Sequence, residues 1–205
     1  MFEPVLFVAG LTVWCYWSGV VVLMVIAAVR SRRSGAMPAD VRERWMWLVW
    51  VPVIVAWNTL PAVALEEDRW PWSLPGWATA TPWVWVRWAA AAAGAACLLV
   101  TIRCWVTMGR SWAIAVQPGD EVPLVTTGLY RWVRHPIYAL SVTLMTTTLI
   151  VLPTWPMLAV AAMHITLMHL KAGNEERFLL SRHGEAYRAY MASTGRFLPR
   201  TRGSA

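Results

Sequence analysis

Five apolar runs separated by short polar segments decide most of what this chain can fold into. They extend over Pro4 to Val29, Trp45 to Leu65, Trp83 to about Met108, Ile137 to Leu152 and Met157 to Leu170. Runs of about 17–25 apolar residues cross a bilayer as helices. A spanning segment has no water to satisfy its backbone, so it must be a helix or part of a closed barrel. The expected fold is all-α: an integral membrane protein of about five transmembrane helices. The last two runs are short and are joined by Pro153-Thr154-Trp155-Pro156, which predicts a C-terminal helical hairpin followed by short cytoplasmic helices. Composition agrees, since 58% of the 205 residues are hydrophobic and 14% charged. That is too apolar for a soluble domain of this size.

The charge is unevenly placed. Alternating the polar segments across five crossings puts sixteen of the eighteen lysines and arginines on one side and leaves only Arg69 and Arg87 on the other. The positive-inside rule makes the basic side cytoplasmic and the N-terminus external, in a multi-pass cell membrane protein. Membrane topology thus accounts for the net charge of +7, and nucleic acid is not the expected partner. The sixteen tryptophans read as interfacial belts. Trp70, Trp72, Trp77, Trp83 and Trp85 mark the outer face, and Trp45, Trp47, Trp112 and Trp132 the inner.

The opening run has no basic segment before it, so it reads as a first membrane helix and not as a cleaved signal peptide. A polar linker from Ser34 to Arg44 follows. Residues 1–108 form the expected three-helix membrane region, 109–200 a cofactor-binding region containing the hairpin, and 201–205 a disordered tail. Ala90, Ala93, Gly94 and Ala95 suit close helix packing. Pro52 and Pro61 are expected to kink the second helix and leave a lateral gap for a lipophilic molecule. Gly184 is expected to stop the last long helix, with a short helix over Glu185 to Ser193 after it. Cys15, Cys97 and Cys104 have no metal-ligand or CxxC spacing. Cys15 and Cys97 lie in apolar runs, which predicts buried free thiols. No metal site is expected.

Two polar groups flank the hairpin. The first is Tyr130-Arg131-Trp132-Val133-Arg134-His135-Pro136-Ile137-Tyr138. Pro136 suits the first turn of a helix, which places His135 just outside it. The unpaired N–H groups of that turn favour an anion, and Arg131 and Arg134 add positive charge. The arginines also fit ordinary contacts with lipid phosphates. The second group is Glu175-Glu176, at the cytoplasmic end of the last long run. Adjacent carboxylates need cations or donors nearby. Lys171, Arg177 or Arg182 could serve one of them, and a ligand with an amine, a sulfonium or ribose hydroxyls could serve the other. The hairpin should bring Glu175 and Glu176 beside His135. His164 and His169 are poorly spaced to share a metal and read as packing or substrate-facing residues. No glycine-rich phosphate loop is present.

The ordered set from Tyr130 through Arg134-His135-Pro136 and Tyr138, then Glu175-Glu176, Gly184, Tyr187, Tyr190 and Arg196-Phe197-Leu198-Pro199, resembles the integral-membrane methyltransferases. These include the isoprenylcysteine carboxyl methyltransferases and the phospholipid methyltransferases. The resemblance covers about Trp105 to Pro199. It implies S-adenosylmethionine as methyl donor and a lipophilic acceptor: a prenylcysteine-like carboxylate, a phospholipid amine or another lipid. It also implies a cofactor pocket built from Tyr130, Arg131, Arg134, His135, Pro136, Tyr138, Glu175 and Glu176. His135, Glu176 and Arg134 are the candidate catalytic residues, with His135 and nearby N–H groups on the cofactor carboxylate. The family often has Gly two residues after the motif tyrosine, where this chain has Leu140. Two other readings stand beside this one. One is an NADPH-dependent membrane reductase of the sterol or steroid type, and the other is a non-enzymatic membrane scaffold. The oligomeric state and the acceptor are open at this level.

Overall fold

A computed structural model describes residues 3–31, 41–66, 69–109 and 123–200. Most of the expected linker (to residue 40), the polar segment 110–122 with Trp112, and the tail 201–205 lie outside the described residues, as do Arg32, Arg33, Arg110 and Arg202. The side chains of Arg30, Arg42 and Arg44 do so too.

Among the described residues five helices follow one another: α1 Pro4–Ser31, α2 Val41–Glu66, α3 Trp83–Met108, α4 Pro136–Val151 and α5 Trp155–Ser193. Short 3-10 turns at Gly76–Thr79 and Gly128–Arg131 precede α3 and α4. Among the described residues the only β pairing is one isolated bridge, Val133 with Gly195. The apolar patterning therefore does produce an all-helical, multi-pass membrane architecture.

The number of crossings is borne out only in part. α1, α2 and α3 are long and apolar enough to cross a membrane, and α4 is a shorter apolar helix. Its 16 residues span about 24 Å at 1.5 Å per residue. α5 is long at 39 residues, but its C-terminal half carries the polar residues of the second motif. Thr154 caps its start, its hydroxyl accepting from Met157 N at 3.4 Å, with Pro156 in the first turn. Gly184, at φ 51°, kinks the helix because glycine alone adopts this backbone without strain. The expected stop is this break in the helical backbone at Gly184, and the expected short helix over Glu185 to Ser193 follows it as the last part of α5. α2 runs unbroken through Pro52 and Pro61.

α4 packs along α3, where Gly94 makes room. A Cβ on Gly94 would lie 3.0 Å from Thr147 Oγ1 and 3.3 Å from Leu144 Cδ1. Ala90 and Ala91 are buried on the same face. Ala93, expected to pack, faces outward. Helices in lipid gain little from apolar burial and associate through such close approach and through polar contacts.

One polar contact at the far end of the bundle has no signal in the local sequence. Arg87, one of the two basic residues placed on the external side, is 2% exposed. Its Nε donates to Val151 O at 2.8 Å and its Nη1 to Ala78 O at 3.3 Å, and Nη2 pairs with Glu3. The guanidinium thus holds the ends of α3 and α4 level with the start of α1.

Two further expectations are corrected. Cys15 is exposed and Cys97 only half-buried, while Cys104 is buried. An apolar run does not distinguish a lipid-facing position from a protein-buried one. The tryptophans also divide. Trp70, Trp72, Trp77, Trp83 and Trp85 are exposed, as belts require, but Trp17, Trp50, Trp57 and Trp105 are buried in the core.

Arg87→Met strands the Val151 and Ala78 carbonyls and the Glu3 carboxylate. A buried group left without its partner costs about 1–3 kcal/mol. Thermal unfolding of the detergent-purified protein should show a clearly lowered midpoint; an unchanged midpoint would mean the latch contributes nothing.

Candidate active site

The site forms where the approach to α4 meets α5 and the segment that follows α5. Gly128 sits at φ +61°, a left-handed conformation that glycine tolerates, and starts the turn that buries Tyr130. The strand-like segment after it pairs with residues beyond the end of α5. Gly195 N donates to Trp132 O at 3.2 Å, Arg134 N to Gly195 O at 2.8 Å, and His135 N to Arg196 O at 3.0 Å. Gly195 is required here by close approach: a Cβ would fall 1.8 Å from Leu198 O. His135 then occupies the N-cap position of α4 with Pro136 in its first turn.

Glu176 is the hub. Arg134 Nε donates to its Oε1 at 2.9 Å, and Arg196 Nε to its Oε2 at 3.0 Å, with Arg196 Nη2 adding a second bond. Arg134 Nη1 also donates to the carbonyls of Met191 and Thr194. His135 Nε2 lies 3.4 Å from Glu176 Oε1, in contact without an aligned hydrogen bond. Burial alone would push the Glu176 carboxyl up. His135, Arg196 and Arg134 outweigh it and hold the carboxyl far below the usual carboxylate range. Reciprocally, the bond to Glu176 raises the Arg196 guanidinium.

Glu175 faces a different set of groups. Tyr138 Oη donates to it, Lys171 Nζ lies 3.6 Å away one turn earlier on α5, and His135 Nδ1 is 3.6 Å away. The His135 ring stacks parallel on Tyr138, with centroids 5.4 Å apart. Phe197 tilts against it, and His169 packs edge-on to Phe197 at 4.7 Å. His135 thus lies between both carboxylates, as expected from the hairpin.

These groups open on a cavity. Its polar end is lined by Tyr130, Arg134, His135, Tyr138, Lys171, Glu175, Tyr187 and Tyr190, and its other end by Tyr16, Trp17, Trp50 and Trp105. Burial pushes the Tyr130 and Tyr187 hydroxyls up and Tyr190 up to about 12, so all three stay protonated. Tyr190 donates to Tyr130 O. The hydroxyls of Tyr130 and Tyr187 are buried without a partner among the described residues.

Most of the sequence candidates come together. Tyr130, Arg134, His135, Pro136, Tyr138 and Glu175 line the cavity, and Leu140 is not among its lining residues. Glu176 lies behind the wall. Arg131 does not reach the site: it is exposed, and its guanidinium sits 4.7 Å over the Trp132 ring. The expected helical partners of the glutamates are correct only for Lys171, since Arg177 bonds to Asn174. Arg196, Tyr187 and Tyr190 carry site roles that charge and spacing did not assign, although all three belong to the ordered motif set. Lys171 and the aromatic wall from α1 to α3 had no motif to mark them.

Residues 91–181 match the family model described as the isoprenylcysteine carboxyl methyltransferase (ICMT) family. The match bears out the resemblance seen in the sequence, and it supports a membrane methyltransferase. No curated protein matches the chain.

The Glu176 carboxyl is more acidic folded than unfolded, so proton uptake favours unfolding. Its stabilisation is complete above the unfolded value of about 4.3 and is lost as the pH falls below it. Removing one partner of a buried ion pair costs about 3–5 kcal/mol; the half-exposed Arg196 arm is partly screened, so the lower end applies. Glu176→Gln should therefore lower the unfolding midpoint at neutral pH and flatten its fall between pH ~5 and ~3. An acid limb as steep as in the native protein would contradict this.

Proposed function

We propose that this protein is an S-adenosylmethionine-dependent methyltransferase that acts at the cytoplasmic face of the cell membrane on a lipophilic acceptor. The observation that carries the reading is a cavity with two unlike ends. One end gathers a carboxylate, a histidine and four tyrosines, and the other is aromatic and is lined by residues of α1, α2 and α3. The excess of basic residues supports a cytoplasmic position for the polar end, the side where soluble cofactors are found.

The residues present suit the donor. A sulfonium is attracted to carboxylates and to aromatic faces, and Glu175, Tyr130, Tyr138 and Tyr187 supply both. The Tyr130 and Tyr187 side chains line the same cavity, and their hydroxyls remain protonated. The first-turn N–H groups of α4 have no intrahelical partners and favour the cofactor carboxylate. His135, already flanked by two glutamates, orients Glu175. Bound there, the donor supplies an electrophilic methyl carbon. The protein's own work is to align an acceptor with that carbon and exclude water.

The two glutamates then differ in role. A carboxyl held as low as that of Glu176 is a poor proton acceptor. With Arg134 and Arg196 it positions the loop before α4 and the C-terminal segment. Glu175 and His135 face the cavity and are the groups able to take a proton from an acceptor that must lose one. Residues between Tyr130 and Tyr190 supply the polar end, and Tyr16, Trp17, Trp50 and Trp105 of the three long apolar helices supply the aromatic end.

Titration calorimetry of S-adenosylhomocysteine into the detergent-purified protein tests the reading. Binding is expected. Glu175→Ala and His135→Ala should each weaken it about ten- to a hundred-fold, the worth of one or two charge-assisted hydrogen bonds. Well-folded protein that ignores the ligand, or variants that bind it unchanged, would sink the proposal. A preference for NADPH in the same cell would favour a reductase.

A further inference from the structure

Charge is unevenly balanced around the cavity. Among the described residues its lining carries two cations, Arg134 and Lys171, against one carboxylate, Glu175. Glu176 stands behind the wall, shared by Arg134 and Arg196. The site as a whole therefore sets three cations, Arg134, Arg196 and Lys171, against two carboxylates. Arg134 directs its guanidinium at Glu176 and at the Met191 and Thr194 carbonyls. Lys171 instead belongs to the cavity wall.

Its place is between the two ends. Met168, Lys171, Glu175 and Leu179 line the cavity from one face of α5, three or four residues apart as a helix face requires. One turn before Met168, His164 lies against the Trp50 ring at 6.5 Å. One turn after Lys171, Glu175 lies 3.6 Å from His135. Lys171 thus stands where the aromatic walls give way to the polar groups. It is 4% exposed. Its Nζ lies 3.6 Å from Glu175 Oε1, longer than a hydrogen bond. The same oxygen receives Tyr138 Oη, and His135 Nδ1 faces the other oxygen. One carboxylate answers an ammonium, a tyrosine and a histidine together. A lysine and a glutamate four apart on an exposed helix face form an ordinary stabilising pair. This pair is buried, borders a cavity, and uses the carboxylate assigned above to the donor.

We propose that Lys171 selects the acceptor by its charge: the acceptor is a lipophilic acid that reacts as an anion, and amines are turned away. The proposal rests on the methyltransferase reading above. The cavity must take up a donor whose sulfonium, ammonium and carboxylate leave one net positive charge. With the sulfonium near Glu175, the excess of positive charge grows, and Lys171 shares its carboxylate with a second cation. Charges buried together are poorly screened. An anionic oxygen coming from the aromatic end meets Lys171 before the donor and reduces that excess. Transfer then forms an O–CH3 bond and breaks the S–CH3 bond, whose electron pair stays on sulfur. The two charges cancel, and no proton has to be removed. An amine nitrogen would take over the positive charge of the sulfonium and keep it beside Lys171.

The test uses three labelled probes that share one alkyl tail: hexadecanoate, hexadecanol and hexadecylamine. Their equilibrium binding to the full chain is measured in phosphatidylcholine nanodiscs with S-adenosylhomocysteine present. Mildly alkaline buffer keeps the acid ionised and the amine protonated, and protein-free nanodiscs give the partition blank. Hexadecanoate should bind saturably, and about tenfold or more tighter than the alcohol or the amine, the worth of one interaction with a charged group. Lys171→Met removes the charge at similar size. It should weaken the acid about ten- to a hundred-fold and bind the amine more tightly, a gain that a damaged fold does not produce. Lys171→Arg should keep the preference for the acid. S-adenosylhomocysteine titrated separately on each sample reports that it is folded, and if Lys171→Met does not fold, Lys171→Gln asks the same question. Nucleoside binding without saturable binding of the acid overturns this proposal alone. So does equal affinity for acid and amine, or a Lys171→Met protein that loses both alike. A native chain that ignores the nucleoside overturns the methyltransferase reading beneath it.

Discussion

The structure depends on a buried carboxylate shared between two arginines. Glu176 lies on α5, Arg134 just before α4, and Arg196 in the segment after α5. Three stretches far apart in the chain are thereby tied to one point. Each taken alone would be costly: a buried charge needs a partner, and the partner must be hydrogen-bonded as well. Here both carboxylate oxygens are engaged, and Arg134 also donates to two carbonyls, those of Met191 and Thr194. The backbone bridge through Gly195 completes the closure. Only after that closure do His135, Tyr138 and Glu175 stand around one cavity.

A second polar latch works at the opposite end of the bundle. Arg87 joins the ends of α3 and α4 to Glu3, just ahead of α1. Between the latches the helices approach through Gly94, Ala90 and Ala91 and through interlocked tryptophans. This division follows from the solvent. In a bilayer, apolar surface gains little by meeting apolar surface, so directional contacts and close packing decide which helices pair. The same physics explains why the buried aromatic cluster lies among α1, α2 and α3 while the charged groups of the site lie where α4 begins and along α5.

Several features are legible in local pattern alone. Apolar length predicts helices, and the proline after His135 places a helix start there. The hairpin puts Glu175 and Glu176 beside His135, which is what the distances of 3.6 and 3.4 Å report. Other features escape local pattern because they depend on direction around a helix or along a loop. Arg131 and Arg134 are equally basic and three residues apart, yet one lies over Trp132 in the open and the other is held under Glu176. Cys15 and Trp17 share one apolar run, yet Cys15 faces outward and Trp17 the core. The burial of Arg87 is not legible because nothing in its own segment offers it a partner; Glu3 and Val151 do so from elsewhere.

The sequence by itself determined the helical membrane class, the order of the motifs and the methyltransferase resemblance. These follow from composition, run length and residue order, which are properties of the unfolded chain. Tertiary structure alone decided which of two adjacent glutamates is the buried hub and which faces the cavity. It also decided that Arg196 and Lys171 belong to the site, and that Trp17, Trp50, Trp57 and Trp105 are buried in the core while others face outward. The reason is geometric. Adjacent residues on a helix point about 100° apart, and only the packing of neighbouring helices determines which direction is protein, which is cavity and which is lipid.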